Sequence, residues 1–172
     1  MRTVLKHLIF IIFAIIIVLL LQALVITGAV IKDNRMAPTL KQDDRIIVNK
    51  IKTTFNLLDN NDIIMYREGD NFHFGRIIGK PGQSIAYKDR TLYRDDKPVN
   101  EHYADDSINN LSLRDVKQSE GDIVPPDMYF VLNDNRDDKQ DSRTAGLIQK
   151  EQIIGDVSLR YYPFEKFTVN FN

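Results

Sequence analysis

The residues best placed to do chemistry surround Asn34-Arg35-Met36-Ala37-Pro38-Thr39-Leu40, just past a long apolar run. Near it in the chain, or able to fold back to it, are the hydroxyls of Thr39 and Ser142 and the ammonium of Lys139. A hydroxyl becomes a nucleophile only beside a base. Arg35 supplies neither role, because a guanidinium does not deprotonate in proteins. The chain has no cysteine, which removes a thiolate nucleophile, a thiolate metal site and any disulfide. His7, His73 and His102 are too scattered to suggest a metal site. No cofactor is implied.

The elements that must hold this stretch begin with the apolar run. The chain has 172 residues, 43% hydrophobic, with a net charge of -1. That length fits one domain with an attachment, and near-neutral charge gives no sign of nucleic-acid binding. Leu8 to Ile31 carries no charged residue, and Gln22 is its main polar interruption. A bilayer core needs roughly 20 helical residues. The run therefore predicts a transmembrane helix over 7–29, with 1–6 as a cytoplasmic tail. Arg2 and Lys6 precede it, whereas Lys32 and Asp33 nearly cancel after it. That asymmetry places the N-terminus inside and 30–172 outside, as a single-pass protein of the plasma membrane. A cleaved secretory signal ending at Thr27-Gly28-Ala29 competes with this reading, but the run exceeds the 7–15 residues usual for such signals. A buried core helix also competes, but the run is apolar all round.

Beyond the anchor the signals are those of strands. Runs at 45–51, 62–67, 72–78, 84–87, 91–93, 128–132, 153–162 and 167–171 are β-branched or apolar and are separated by Gly, Asp, Asn and Pro. They predict a mainly β body of antiparallel sheets or a partly open barrel. Residues 100–121 are polar and acidic and read as a long surface excursion or a poorly ordered loop. Tyr161-Tyr162-Pro163-Phe164 is expected to pack in the core as the end of a last strand, with a patch at lipid headgroups as the alternative.

Four boxes together resemble type I signal peptidases. Met36, Pro38, Thr39 and Leu40 match the nucleophile box Ser-Met-x-Pro-Thr-Leu. Asn61-Asp62-Ile63-Ile64 is similar to the family's Gly-Asp-Ile-Val strand. Arg76-Ile77-Ile78-Gly79-Lys80-Pro81-Gly82 resembles the lysine box, Lys-Arg-Val-Ile-Gly-x-Pro-Gly. Asn133-Asp134-Asn135-Arg136, followed by Asp141-Ser142-Arg143 and Gly146, resembles Gly-Asp-Asn-Arg … Ser-x-Asp-Ser-Arg-x-x-Gly. Order and spacing make the match specific, and it is closest to the inactive paralogue that some Gram-positive bacteria carry.

In that family a serine attacks the peptide carbonyl and a neutral lysine is its general base. The lysine's pKa must fall from about 10.4 toward 7–8. Here the matching positions are Arg35 for the serine and Gly75 for the lysine. Asp33 stands where the family places an oxyanion-donating hydroxyl, and a carboxylate there repels developing negative charge. Lys139 replaces the serine before the Asp-Ser-Arg triplet. The resemblance thus implies a catalytically inactive homologue. Its expected partners are the bilayer, signal peptides of secretory precursors and an active signal peptidase. Family substrates pair with strand edges matching Ala29 to Asp33 and Phe72 to Gly75, so Val30, Ile31, Lys32, Phe72, His73 and Phe74 are groove candidates. Arg35 could block that groove or attract a carboxylate. Two alternatives stay open: a divergent endopeptidase using Lys139 and a hydroxyl, and a structural membrane-associated β-protein.

Overall fold

The computed structural model describes residues 2–104 and 108–171; for Arg2, Thr3, Leu21 and Ala23 it describes the backbone alone. It opens with helix α1, Arg2–Val25, of 24 residues. Its apolar side chains, Phe10 and Leu19 among them, stand exposed. Among the described residues no helix is long and apolar enough to cross a membrane. The helix stops short of the expected end at 29. Ile26–Val30 instead form strand β1, paired with β2 (Arg45–Asn49) from Ile26↔Asn49 to Val30↔Arg45. Val25, Ile26, Thr27 and Gly28 are weak helix formers, and pairing with β2 supplies their backbone hydrogen bonds.

After a short helix α2, Ile51–Thr54, come β3 (Ile63–Glu68) and β4 (Asn71–Gly79). The short strands β5 (Ile85–Lys88), β6 (Thr91–Arg94), β7 (Lys97–Val99) and β8 (Leu111–Ser112) follow. The chain returns through β9 (Met128–Leu132), helix α3 (Ser142–Ala145), β10 (Ile148–Gln149) and β11 (Ile153–Tyr162). Neighbouring strands are antiparallel in two sheets, ordered β1-β2-β11-β3-β4-β9-β10 and β7-β6-β5-β8. The barrel does not close. Strand β11 shifts register between Ile153 and Gly155, and a Cβ on Gly155 would collide with the Asn49 carbonyl, so this crossing requires glycine.

Two stretches differ from expectation. Among the described residues of 100–121, Tyr103, Leu113 and Val116 leave the surface and are buried in the core under the small sheet. The reason is a buried cation. Arg136 donates to Glu101 Oε1 at 2.6 Å and to the Tyr87 hydroxyl at 2.9 Å, and the Tyr103 hydroxyl donates to the same Glu101 oxygen at 3.0 Å. Glu101 and Tyr103 therefore tie the segment down; Asp105 and Asp106 lie outside the described residues. Replacing Glu101 by glutamine is expected to cost about 2 kcal/mol in chemical unfolding, the value of a hydrogen bond to a charged group. A loss below about 0.5 kcal/mol would mean that the segment is held by its apolar residues alone.

The second difference is the chain end. Residues 167–171 do not form a strand, because Thr168 exchanges side-chain bonds with Asn170 and turns the backbone, leaving one bridge to Arg160. Tyr162, Phe164, Phe167 and Val169 are exposed, Phe164 at 75%, so 162–164 do not pack in the core, whereas Phe171 rests partly on it. Tyr162 and Phe164 stack edge to face on each other instead.

Candidate functional site

The loop joining β1 to β2 is fixed before it reaches Arg35. Met36 and Leu40 are buried and pin it to the core below. The Leu40 amide closes a turn on the Met36 carbonyl, and Asp43 donates to Ile31 O. Arg160 holds the loop from the side, donating to Thr39 O at 2.8 Å and to Asp44 at 3.0 Å. Pro38 flanks this turn, partly over a cavity shared with Tyr103 and Phe171.

Beneath the loop lies a fully buried ion pair. Arg76 on β4 donates Nε and Nη2 to the two Asp134 oxygens at 2.8 and 2.7 Å, with both side chains at 0% exposure. Thr39 Oγ1 donates to the same carboxylate at 2.6 Å. Arg76 Nη1 donates to the Asn61 and Phe171 carbonyls, and the guanidinium lies 4.0 Å over the Tyr103 ring. The turn after β4 follows: Gly79 ends the strand, Pro81 leads out, and Gly82 takes φ +85° while donating to Val124 O.

A third group builds the corner beside Arg35. Arg143 clamps Asp141 with Nε and Nη2, and Asp141 caps α3 through the Arg143 amide. Ser142 Oγ accepts from the Val131 amide. Asn135 donates its amide to Arg35 O at 2.9 Å. Asp62 is tied to Lys52 at 2.8 Å.

Arg35 itself is occupied. Its Nη1 lies 3.0 Å from His73 Nδ1, and its Nε lies 3.3 Å from Asp33 and 3.6 Å from Asp138. Its amide donates to Asp33 Oδ1 at 3.1 Å. In the family this amide is an oxyanion donor, and here a carboxylate already sits on it. Arg35 is thus no free receptor for a carboxylate.

The base position is filled as well as empty of an amine. A Cβ on Gly75 would meet Val131 Cγ1 at 2.5 Å and Tyr66 Cε1 at 3.5 Å. Tyr66 cannot act as base in its stead, because burial raises its phenol far above the ordinary range. Lys139 is exposed at the surface, and only its backbone oxygen takes part in the hydrogen bonds described, from Asp141 N and Thr144 Oγ1. The Thr39 and Ser142 hydroxyls are committed to Asp134 and Val131. Among the described residues, the structure brings together no nucleophile, base and oxyanion donor.

Of the groove candidates, Ile31 is buried and Phe74 packs partly on the same core, so neither faces a ligand. Val30 and Lys32 are exposed, Phe72 is half exposed against Arg67, and His73 meets Arg35. The strand edges beside them are open. Among the described residues, strand β1 pairs only with β2, and the 71–75 part of β4 pairs with β3 alone, because β9 engages it from Arg76 onward. Sequence reasoning missed Tyr66, Val131 and Asp138.

A β scaffold with this nucleophile loop, its buried Arg–Asp support and no serine–lysine pair defines a peptidase-like protein without the machinery of one. The family model described as signal peptidase, peptidase S26, matches residues 4–162, and the chain belongs to that family. It is 56% identical over 172 residues to an inactive signal peptidase IA of Staphylococcus aureus strain COL, covering 99% of each. It is 32% identical to signal peptidase IB of Staphylococcus aureus strain MRSA252, covering 99% of this chain and 96% of that one. A crystal structure of a signal peptidase I from Enterococcus faecalis V583 superposes with a TM-score of 0.52 at 29% identity, over 58% of this chain and 95% of that one. The chain is an inactive homologue within the family.

Proposed function

We propose that this protein holds an extended peptide, of the kind a secretory precursor presents, without cutting it. The observation that carries this reading is the pair of open edges, β1 and residues 71–75 of β4, flanking Arg35. Edge pairing uses only backbone donors and acceptors and survives the loss of the catalytic side chains.

We further propose that α1 anchors the protein in the plasma membrane as a single pass, with the N-terminus cytoplasmic and the β body outside. The support is its exposed apolar surface over 4–20, since apolar area left in water costs about 25 cal/mol per Å². Phe55 and Leu57 add to it: they are exposed just after α2, where the Lys50 amide bonds the Val25 carbonyl at the end of α1. Docking onto an active signal peptidase through the same edges is the remaining partner expectation.

The test is fluorescence anisotropy of a labelled signal peptide on the full chain in detergent, with the Arg35→Ala variant to clear the groove. Methylating alternate peptide nitrogens is expected to weaken binding at least tenfold, about 1.4 kcal/mol. Absence of binding to the variant, or indifference to methylation, overturns the reading.

A further inference from the structure

Arg35 lies between the two open edges and is held there by a partner that can change charge. The contact from Arg35 Nη1 to His73 Nδ1 at 3.0 Å requires that Nδ1 be an acceptor, since a guanidinium only donates. The ring is then neutral, with its proton on Nε2, which lies 3.7 Å from Glu68 Oε2. The groups around the ring are few. Strand β3 contributes Glu68 and Tyr66, whose ring centre is 5.8 Å from that of His73. The facing loops contribute Arg35, with Asp33 and Asp138 behind it.

We infer that Arg35 and His73 form a proton-operated latch across the peptide groove. While His73 is neutral, it draws the guanidinium across the space between β1 and β4. A proton taken from solvent onto Nδ1 turns both ring nitrogens into donors and sets two cations against each other. The contact breaks. The imidazolium is left to Glu68, and Arg35 is left to Asp33 and Asp138, which already hold its Nε. Both cations thus have carboxylates waiting, so opening strands neither of them. Histidine is the side chain whose charge ordinarily changes between pH 5 and 8, while carboxylates as a class ionise below that window. Protonation of the ring therefore opens the groove, and its loss closes it. The consequence for peptide affinity rests on the peptide-holding function proposed above; the latch itself does not.

Two readouts separate the ideas. In the full chain in detergent, the Arg35 Nη resonances are expected to be split at pH 7.5, where rotation of the guanidinium is held. They should coalesce along the same titration curve as the His73 ring signals. His73→Gln keeps an acceptor that does not titrate, so its splitting should persist to pH 5.5. His73→Phe has no acceptor and should show none at either pH. Persistence of the splitting after His73 has titrated, or equal loss in His73→Gln, overturns the latch whatever the peptide does. With a labelled signal peptide, the native chain is expected to gain about tenfold in affinity from pH 7.5 to 5.5. Arg35→Ala should bind equally at both. If Arg35→Ala binds at neither pH while the resonances behave as described, the latch stands and the peptide-holding function falls.

Discussion

Asp134→Ala is expected to cost about 3–5 kcal/mol, the usual penalty for leaving a buried charge without its partner. A domain of this size has about 5–15 kcal/mol in all. The variant should therefore unfold at a much lower urea midpoint, or express poorly. The geometry explains the size of the effect. Asp134 accepts two bonds from Arg76 and one from the half-buried Thr39, and neither the Arg76 nor the Asp134 side chain reaches water. Removing the carboxylate strands the guanidinium on two carbonyls and a tyrosine ring, and frees the hinge of the Arg35 loop at Thr39. The double variant Arg76→Met with Asp134→Leu should recover much of the loss, because it buries no charge. The exposed pair Arg114–Asp122 has the same bidentate form, and breaking it should change little. A loss under about 1 kcal/mol for Asp134→Ala would show that the buried pair is hydrated in solution.

These residues also show how far the sequence could be read. Met36 and Leu40 flank a turn at a spacing that buries both, and the β-branched runs became β2 to β6, β9 and β11 because alternation and turn residues are local signals. The failures are cases where a distant partner decided the outcome. Residues 100–121 look solvated until Arg136 is known to lie beneath them needing Glu101. Residues 167–171 have strand propensity, but Thr168 satisfies the backbone locally. The apolar run looks helical to its end, yet β2 offers a better arrangement to residues 26–30 than another turn of helix. Around Arg35, the resemblance to the family boxes implied a lost nucleophile and a lost base. It could not show that Asp33, Asp138 and His73 close over the gap, nor that Val131 and Tyr66 fill the volume a lysine would need. Those contacts join the loop after β1, strands β3, β4 and β9 and the loop after β9, and no local pattern encodes them.

The double reversion Arg35→Ser with Gly75→Lys is expected to yield no signal-peptide cleavage, although it restores both family residues. The lysine Cβ would lie 2.5 Å from Val131 Cγ1, on a branched side chain rooted in β9, with Tyr66 3.5 Å away on another side. Overpacking of this kind costs about 1–3 kcal/mol and displaces the new side chain. A base displaced by 1 Å already forfeits roughly a hundredfold in rate. The serine amide would meanwhile still face the Asp33 carboxylate, which repels the oxyanion it should bind. Adding Val131→Ala makes room for the lysine, and adding Asp33→Ser returns a hydroxyl donor. Loss of one oxyanion donor costs about 10²–10³ in rate, so the quadruple variant should exceed the double by at least about 10². Single-turnover cleavage of a secretory precursor by the detergent-solubilised variants decides this. Cleavage by the double variant alone would mean that Val131 and the β4 backbone yield easily and that the site is merely disarmed. Cleavage only by the quadruple variant would mean that the structure has closed around the missing residues, so that activity was lost in packing and charge as well as in the two side chains that perform the chemistry.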